Sequence, residues 1–585
     1  MGYNVINELG FNRKAVFLCL LSIGITGFLI RLYFEPQIPL TADATNYFVY
    51  AADTSLTGKL SENYYLTNNG WPMFLSILFS STKLDDPFFL MELQRFSSIL
   101  ISTFTIIPVY FLCRRFFDRQ SSLLGSSLFV FQPHIITNSS LGITEPIFLF
   151  LGISSLVLFL NNNNKFIYIS FAIAGLFTLI RFEGMFFFMI ISVIFLIKYR
   201  HKKKIFLQYP VLFGIYLLIL LPVAYSNIEI HDRDGFIDEL FAVSGYSYTH
   251  FVQGIPEVGD HLYGDTKDIN MYKFLTIGFT NLMKFSGLFL IPIFLFFVLP
   301  GLALIIKNKK NIKIDYAIIT VISTSIIMLL PAFYTYGRGS EDVRFVFIIL
   351  PLLILTSLYG INKWKNKRKN LMIASMIIVI ILVSFIFLDY QKINYDYEKE
   401  IFSITKFISS KTAVINDDSA DIKYRTASQI ILNWPNLPAT TGEAHIERVL
   451  IKIPISDEKS LFEFIDSSKN KGLTHLAVDG KENQPEFLMD VFYHDEKYPY
   501  LKLIYDSSEL GMKYHVKIYE IDRSYMNRAS TLMGGVTVHY GGQSGKGKRV
   551  DITCESSVYK FTWNIRNKQS GTYPSHIMCD YKKKN

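Results

Sequence analysis

A polytopic α-helical membrane fold, with a small extracytoplasmic α/β domain at its C-terminal end, is predicted by three observations. Apolar runs of membrane-crossing length recur through the first two thirds of the chain. Clusters of Lys and Arg punctuate them, all on one side. After Leu388 the apolar runs shorten to strand length and alternate with amphipathic stretches. Composition agrees: of 585 residues, 50% are hydrophobic, only 18% are charged, and 51 are Phe. That is the profile of a membrane protein and not of a soluble enzyme.

The first run, Ala15–Tyr33, carries one charge, Arg31, near its far end. No small-residue cleavage site comes after it, so it reads as an uncleaved signal anchor. Next come Phe96–Cys113, Ser121–Ile136, Pro146–Leu160, Phe166–Ile180, Gly184–Tyr199 and Ile205–Tyr225. Gly287–Ile306, Tyr316–Phe333, Phe345–Ile361 and Leu371–Leu388 complete the set, about eleven spans in all. An odd number puts the termini on opposite sides. With this count, Arg13-Lys14, Arg114-Arg115, Lys198–Lys204, Lys307–Lys313 and Lys363–Lys369 share one face, with Lys165 joining them. The positive-inside rule makes that face cytoplasmic. The loop Asn227–Asp268, on the other face, carries nine Asp/Glu against two Lys/Arg. The expected protein is thus a multi-pass cell-membrane protein with its N-terminus in the cytoplasm and its C-terminal domain outside. The net charge of +9 is an orientation signal, and no nucleic-acid-binding pattern accompanies it.

The chain divides into three regions: 1–390 in the membrane, 391–522 as the α/β domain, and 523–585 as a Gly-rich basic tail. The second shows a helical stretch at Ser460–Asn470, a strand at Thr474–Val478 and a turn at Asp479-Gly480. A helix over Pro485–Tyr493 and strands at Leu501–Tyr505 and His515–Ile521 come next. The tail contains Gly541–Lys546, whose spacing does not match a phosphate-binding loop and reads as a linker. Short β-like runs at Val550–Cys554 and Tyr559–Ile565 leave a small β unit or an unstructured tail as alternatives. Cys554 and Cys579 are either a disulfide, allowed on the exterior side, or two unpaired thiols. Cys19 and Cys113 lie within spans as packing residues, and His134 reads as a packing histidine.

The span cores contain essentially no Asp, Glu, Lys or Arg. Ionisable residues gather instead at the outer boundary, in four clusters. Asp43 opens the amphipathic stretch Thr41–Tyr47; alone it would be a helix cap. Glu145 stands just before a span, where the helix dipole favours a carboxylate. Arg181-Phe182-Glu183-Gly184 forms a tight turn between spans, by itself an ordinary surface charge pair. Tyr336–Phe345 holds Arg338, Glu341, Asp342 and Arg344 ahead of a late span, a composition that also suits plain interface anchoring.

In this order, on one face, the four clusters resemble the GT-C superfamily of polyprenyl-phosphate-sugar glycosyltransferases. The likeness is in particular to the dolichyl-phosphate-mannose protein mannosyltransferases and the lipid A aminoarabinose transferases, and it covers roughly Ala15–Ile361. There are departures. Ala44 stands where many members follow the Asp with Glu, and Gly70-Trp71-Pro72-Met73-Phe74 replaces a Pro-Pro-Leu segment. The Trp-Trp-Asp motif of oligosaccharyltransferases is absent: Trp71, Trp364, Trp434 and Trp563 never pair. The resemblance implies transfer of one sugar from a polyprenyl phosphate to an extracytoplasmic protein, lipid or glycan, with inversion.

It also implies roles. A leaving phosphate needs cations more than a proton, and the forked guanidinium suits it. Arg344, Arg338 and Arg181 are the candidates. The attacking hydroxyl or amine must lose a proton, and Asp43 takes it as general base. Glu145 orients acceptor or base, Glu183 supports Arg181, and Tyr47, Glu341 and Asp342 complete the surroundings. A divalent metal has only weak candidate ligands, His231, Asp232 and Asp234 of the large outer loop. Two other classes stay open. A lipid or glycan transporter should show charged or broken helices at membrane depth, which the sequence does not display. A scaffold would not need four charged clusters on one face.

Overall fold

The computed structural model describes residues 13–36, 38, 40, 43–61, 66, 69–82, 87–161, 163–201, 205–232, 235–236, 271–307, 315–362, 369–393, 395–396, 399–400, 402–403, 443–446, 449–452, 460–468, 473–479, 485–525, 536–539, 549–555 and 560–566. Two compact units divide at Lys399/Glu400.

The first unit is all helix. Among the described residues, six helical stretches are long and apolar enough to cross a membrane: Arg13–Tyr33, Phe89–Arg114, Leu207–His231, Tyr316–Gly337, Val343–Ile361 and Lys369–Tyr390. Glu145–Phe159, Lys165–Ile180 and Gly184–Tyr199 are apolar but shorter. At about 1.5 Å per residue these fall short of a hydrocarbon core of about 30 Å. Many large side chains on the outer helices point outward, among them Phe17, Leu29, Leu371 and Ile386. In lipid such an outward apolar face is the solvated one. The chain is therefore a multi-pass membrane protein.

The first eleven helices are α1 Arg13–Tyr33, α2 Asp43–Thr57, α3 Gly70–Thr82, α4 Pro87–Phe104, α5 Ile106–Arg114, α6 Arg119–Val130, α7 Pro133–Ser139, α8 Glu145–Phe159, α9 Asn164–Ile180, α10 Gly184–Tyr199 and α11 Ile205–His231. The amphipathic stretch after Asp43 forms α2. The helix α3, opened by Gly70-Trp71-Pro72, was not expected as an element. Polar side chains mark where these helices start. Asp118 caps α6, accepting from the Ser121 amide at 2.8 Å, and pairs with Lys369 at the start of the last helix. Asp315 caps the helix Tyr316–Ile327 in the same way, accepting from Ile318 at 3.0 Å. Arg31, fully buried in α1, has no carboxylate beside it among the described residues. It donates to the carbonyls of Gly27 and Val130, both at 2.9 Å, and to Ser102 Oγ. A Cβ on Gly27 would lie 2.0 Å from Val130, so only glycine admits this close approach of α1 and α6.

Each expected span is helical, but two are broken, contrary to the reading of unbroken helices. The stretch Gly287–Ile306 is not one rod: helices Met271–Leu290 and Phe294–Lys307 meet at 106°. Pro292 at the break has no N–H to give, so carbonyls just upstream lose their helical partners. The second break, between α6 and α7 ahead of Pro133, supplies replacements. Gln132 Nε2 donates to Phe289 O at 2.6 Å, and His134 Nε2 lies 3.2 Å from Leu288 O. Irregular backbone at membrane depth is thereby satisfied inside the protein.

The second unit contains a five-stranded sheet in the order β2-β1-β3-β5-β4, antiparallel throughout. Its strands are β1 Glu443–Ile446, β2 Val449–Lys452, β3 Leu473–Asp479, β4 Leu501–Asp506 and β5 Val516–Ile521. Helices Leu461–Ser467 and Glu486–Tyr493 share one apolar cluster with the sheet, through Phe464, Val478, Val491 and Tyr519. Ser460 caps the first of them, accepting from Glu463 N at 3.2 Å. The Gly-rich tail contributes a separate antiparallel sheet, β6 Val536–His539, β7 Arg549–Glu555 and β8 Lys560–Arg566. The Gly541–Lys546 segment, Gly480 and Cys579 lie outside the described residues, as does the side chain of Cys554.

Candidate active site

Four segments, each opening or closing a helix, bring their charged side chains together. Asp43 is the first residue of α2 and Glu145 the first of α8, with Pro146 behind it fixing the helical start. Arg181 ends α9 in an extended conformation (φ −152°, ψ 132°). Glu183 then leads into Gly184, where a Cβ would sit 2.7 Å from the Thr178 backbone. Only glycine lets the chain turn that tightly. Asp342 caps the 3-10 turn Val343–Ile349, accepting from Arg344 N at 2.9 Å, and Tyr336 donates its hydroxyl to Asp342 O at 2.7 Å.

Arg344 is the hub. Its Nη1 lies 2.7 Å from Asp43 Oδ2 and 3.7 Å from Glu145 Oε1, and its Nε lies 3.1 Å from Asp342 Oδ2. Glu145 Oε1 also takes Arg181 Nη1 at 2.8 Å, while Arg181 Nη2 meets Glu183 Oε1 at 2.7 Å. Asp43, Glu145, Glu183 and Asp342 thus face two guanidiniums, an excess of two formal negative charges. Burial is graded across the cluster. The Glu145 side chain is 4% exposed, whereas that of Asp43 is 43% exposed. Glu145 Oε2 is buried with no hydrogen-bond partner among the described residues. Burial disfavours the charge on Arg181, but Glu183 and Glu145 outweigh it and raise its pKa further. Burial, then the charge of Asp43, pushes the Tyr47 phenol above its usual range, so it stays neutral, hydrogen-bonded to Thr144.

Beside the cluster opens a cavity of about 780 Å³, lined by Arg344, Asp342, Glu35, His134, Tyr33 and Lys392 among others. Arg344 therefore faces both the carboxylates and the cavity. Burial raises the carboxyl pKa of Glu35 despite the opposing charge of Arg95. Lys392, whose Nζ lies 5.7 Å from the Tyr33 ring centroid, brings a further cation to this wall. Neither Glu35 nor Lys392 stood out in the sequence. Each flanks an apolar span, where charges are commonplace, and the only available signal was proximity to the outer boundary.

The structure brings together Asp43, Tyr47, Glu145, Arg181, Glu183, Asp342 and Arg344. Of the two other residues of the last cluster, Arg338 lies over the Tyr334 ring, 5.9 Å from its centroid, and Glu341 3.1 Å from exposed Lys284. His231 Nε2 makes a 2.9 Å contact with Ser61 O, Asp232 has a φ of 56°, and Asp234 lies outside the described residues. No three His, Cys, Asp or Glu side chains among the described residues form a metal-binding group.

A bundle of membrane helices with a guanidinium–carboxylate cluster at their ends, open to a wide cavity, defines a polytopic membrane protein with a polar site at its boundary. Residues 72–225 match the family described as dolichyl-phosphate-mannose-protein mannosyltransferase. That match bears out the resemblance to GT-C glycosyltransferases drawn from the residues. No curated protein matches the sequence. Among solved structures, an Archaeoglobus fulgidus oligosaccharyltransferase with zinc and sulfate aligns at 14% identity and a TM-score of 0.43, covering 69% of this chain and 56% of that one. The same enzyme tethered to an NVT acceptor peptide gives 12% and 0.46, covering 86% and 74%. ArnT from Cupriavidus metallidurans bound to undecaprenyl phosphate gives 9% and 0.39, covering 72% and 70%. The chain thus spans just over half the length of the first of these. Likeness at this level carries no conclusion about activity.

Proposed function

We propose that this protein is an integral-membrane glycosyltransferase that moves one sugar from a polyprenyl phosphate to an acceptor outside the cytoplasm. The observation that carries the reading is Arg344, paired to Asp43 at 2.7 Å on one side and lining the large cavity on the other. A cation that touches both the candidate base and the open space suits a reaction in which charge moves between them.

The acceptor oxygen or nitrogen attacks the anomeric carbon as the bond from that carbon to the phosphate oxygen breaks. The electron pair leaves on the polyprenyl phosphate, and Arg344 stabilises the growing charge. The acceptor proton passes to Asp43, whose exposed side chain remains reachable. A single displacement inverts the anomeric configuration. Glu145, held by Arg181, keeps Arg344 in place, and Glu183 holds Arg181 in turn. The basic loops put the N-terminus in the cytoplasm and the 391–522 domain outside. The broken helix pair is the feature that favours transport instead. Its freed carbonyls are closed by Gln132 and His134, which argues for a structural bend.

The test is transfer of radiolabelled sugar, mannose first, from polyprenyl-phosphate donors by membranes holding wild-type protein, Arg344→Lys or Arg344→Gln. Lysine keeps the charge but loses the fork that meets three carboxylates. Wild-type transfer that falls about tenfold or more with lysine, and further with glutamine, is the expected result. No transfer from any donor, or full activity in both variants at equal abundance, refutes the proposal.

A further inference from the structure

The loops that bear Asp43 and Glu145 are far apart in sequence, yet both are tied to one turn of α4. Gln94 is fully buried there. Its Nε2 donates to Ala44 O at 2.9 Å and to Gly142 O at 2.8 Å. Ala44 directly follows Asp43, and Gly142 begins the turn that delivers Glu145. Gly142 itself has φ +77°, and a Cβ there would come 3.3 Å from Gln94 Cγ, so the loop is fitted to this side chain. Trp71 Nε1 donates to the same Gly142 carbonyl at 3.1 Å. The neighbouring Arg95, also buried, repeats the pattern one residue on. Its Nη2 donates to Ile38 O at 2.7 Å and its Nε to Ser140 O at 2.9 Å.

We infer that Gln94 is a positioning residue for sugar transfer: by clamping the Ala44 and Gly142 carbonyls with one amide, it sets the spacing of Asp43 and Glu145 around Arg344. The inference rests on the reading of the cluster as a transferase site. The amide is suited to the task because a single nitrogen carries two hydrogens, one for each loop. Without the amide the Gly142 carbonyl keeps only Trp71 and the Ala44 carbonyl only its place in the first turn of α2, so the two segments are no longer tied to each other. Misplacing a reacting group by about 1 Å is enough to lower a rate roughly 10²-fold.

The experiment compares wild type, Gln94→Met and Ser102→Ala in the transfer assay, with kcat per folded molecule and KM for the polyprenyl-phosphate donor measured separately. Ser102 lies on the same helix and accepts from Arg31, away from the cluster. Methionine keeps the length of glutamine and removes both donors. The expected result is a kcat about 10²-fold lower with donor KM within about twofold, and a Ser102→Ala enzyme close to wild type. Gln94→Glu, which donates only as the neutral acid, should regain activity relative to wild type as pH is lowered. Should Gln94→Met fail to accumulate, Gln94→Asn, which withdraws the amide by one methylene, carries the same test. A kcat within about threefold of wild type, or a change confined to KM, overturns the inference. Absence of transfer by the wild type overturns instead the reading on which it rests.

Discussion

Replacing Asp43 by Asn separates chemistry from architecture at this site. Asparagine keeps the size, the helix-start preference and an oxygen able to accept from Arg344 Nη1, now 2.7 Å away. Only the charge and the basicity go. The structural loss is bounded by the remaining partners of Arg344, since Asp342 at 3.1 Å and Glu145 at 3.7 Å stay in place. With the Asp43 side chain 43% exposed, its pairing contributes about 1 kcal/mol or less to stability. A general base, by contrast, contributes about 10²- to 10⁴-fold in rate, or roughly 2.7–5.4 kcal/mol of barrier. The two effects differ enough to be resolved. Transfer of labelled sugar from polyprenyl phosphate, at matched membrane abundance, should fall at least about 10²-fold while the thermal midpoint moves by only a few degrees. A variant that transfers within about threefold of wild type would refute the role of Asp43 as base and leave it as a first-turn carboxylate of α2.

Features away from that contact make further outcomes testable. Lys392→Gln removes a cation from the cavity wall, and donor KM should rise about three- to tenfold with kcat unchanged; an unchanged KM would exclude Lys392 from donor binding. Gln132→Leu leaves the Phe289 carbonyl without its 2.6 Å donor and should destabilise the protein by about 1–3 kcal/mol, read as a lower thermal midpoint in detergent. In the second unit, hydrogen bonds from Lys497 and Tyr498 draw the pKa of Asp490 down to about 2. A depressed carboxylate pKa stabilises the fold above about pH 4, and that contribution is lost as pH falls through the folded value near 2. Hydrogen exchange over 486–500 in the full chain should show protection falling across that window, with Asp490→Asn already lower at pH 7 and flatter below it.

Much of this molecule was legible because the bilayer imposes a simple rule on sequence. A span must be long and apolar, so α1, the last helix and most of those between could be placed from hydropathy alone. The break at Ile291–Ile293 was not legible. Its flanks are as apolar as any span, and what makes the bend tolerable is a glutamine from a different helix. The site was half visible. Asp43, Glu145, Arg181 and Arg344 drew notice by their place at helix ends, whereas neither the pairing of Arg344 with Asp43 nor that of Glu341 with Lys284 could be read from spacing. Gln94 and Arg95 are inconspicuous for a similar reason. They fall just ahead of Phe96, where the apolar run begins, and polar residues there look like ordinary flanks.

The bond from Gln132 to Phe289 also bears on how the protein is assembled. Its two partners lie 157 residues apart. Helices enter a membrane in the order they are synthesised, so the amide of Gln132 arrives while its acceptor has yet to be made. Until then that amide must stay near water or borrow another carbonyl, and the chain around Pro133 has no finished resting place. The converse holds for the Phe289 carbonyl at the bend, whose side-chain donor is that same amide. The two breaks are therefore completed together, once the helix that carries Phe289 has been inserted.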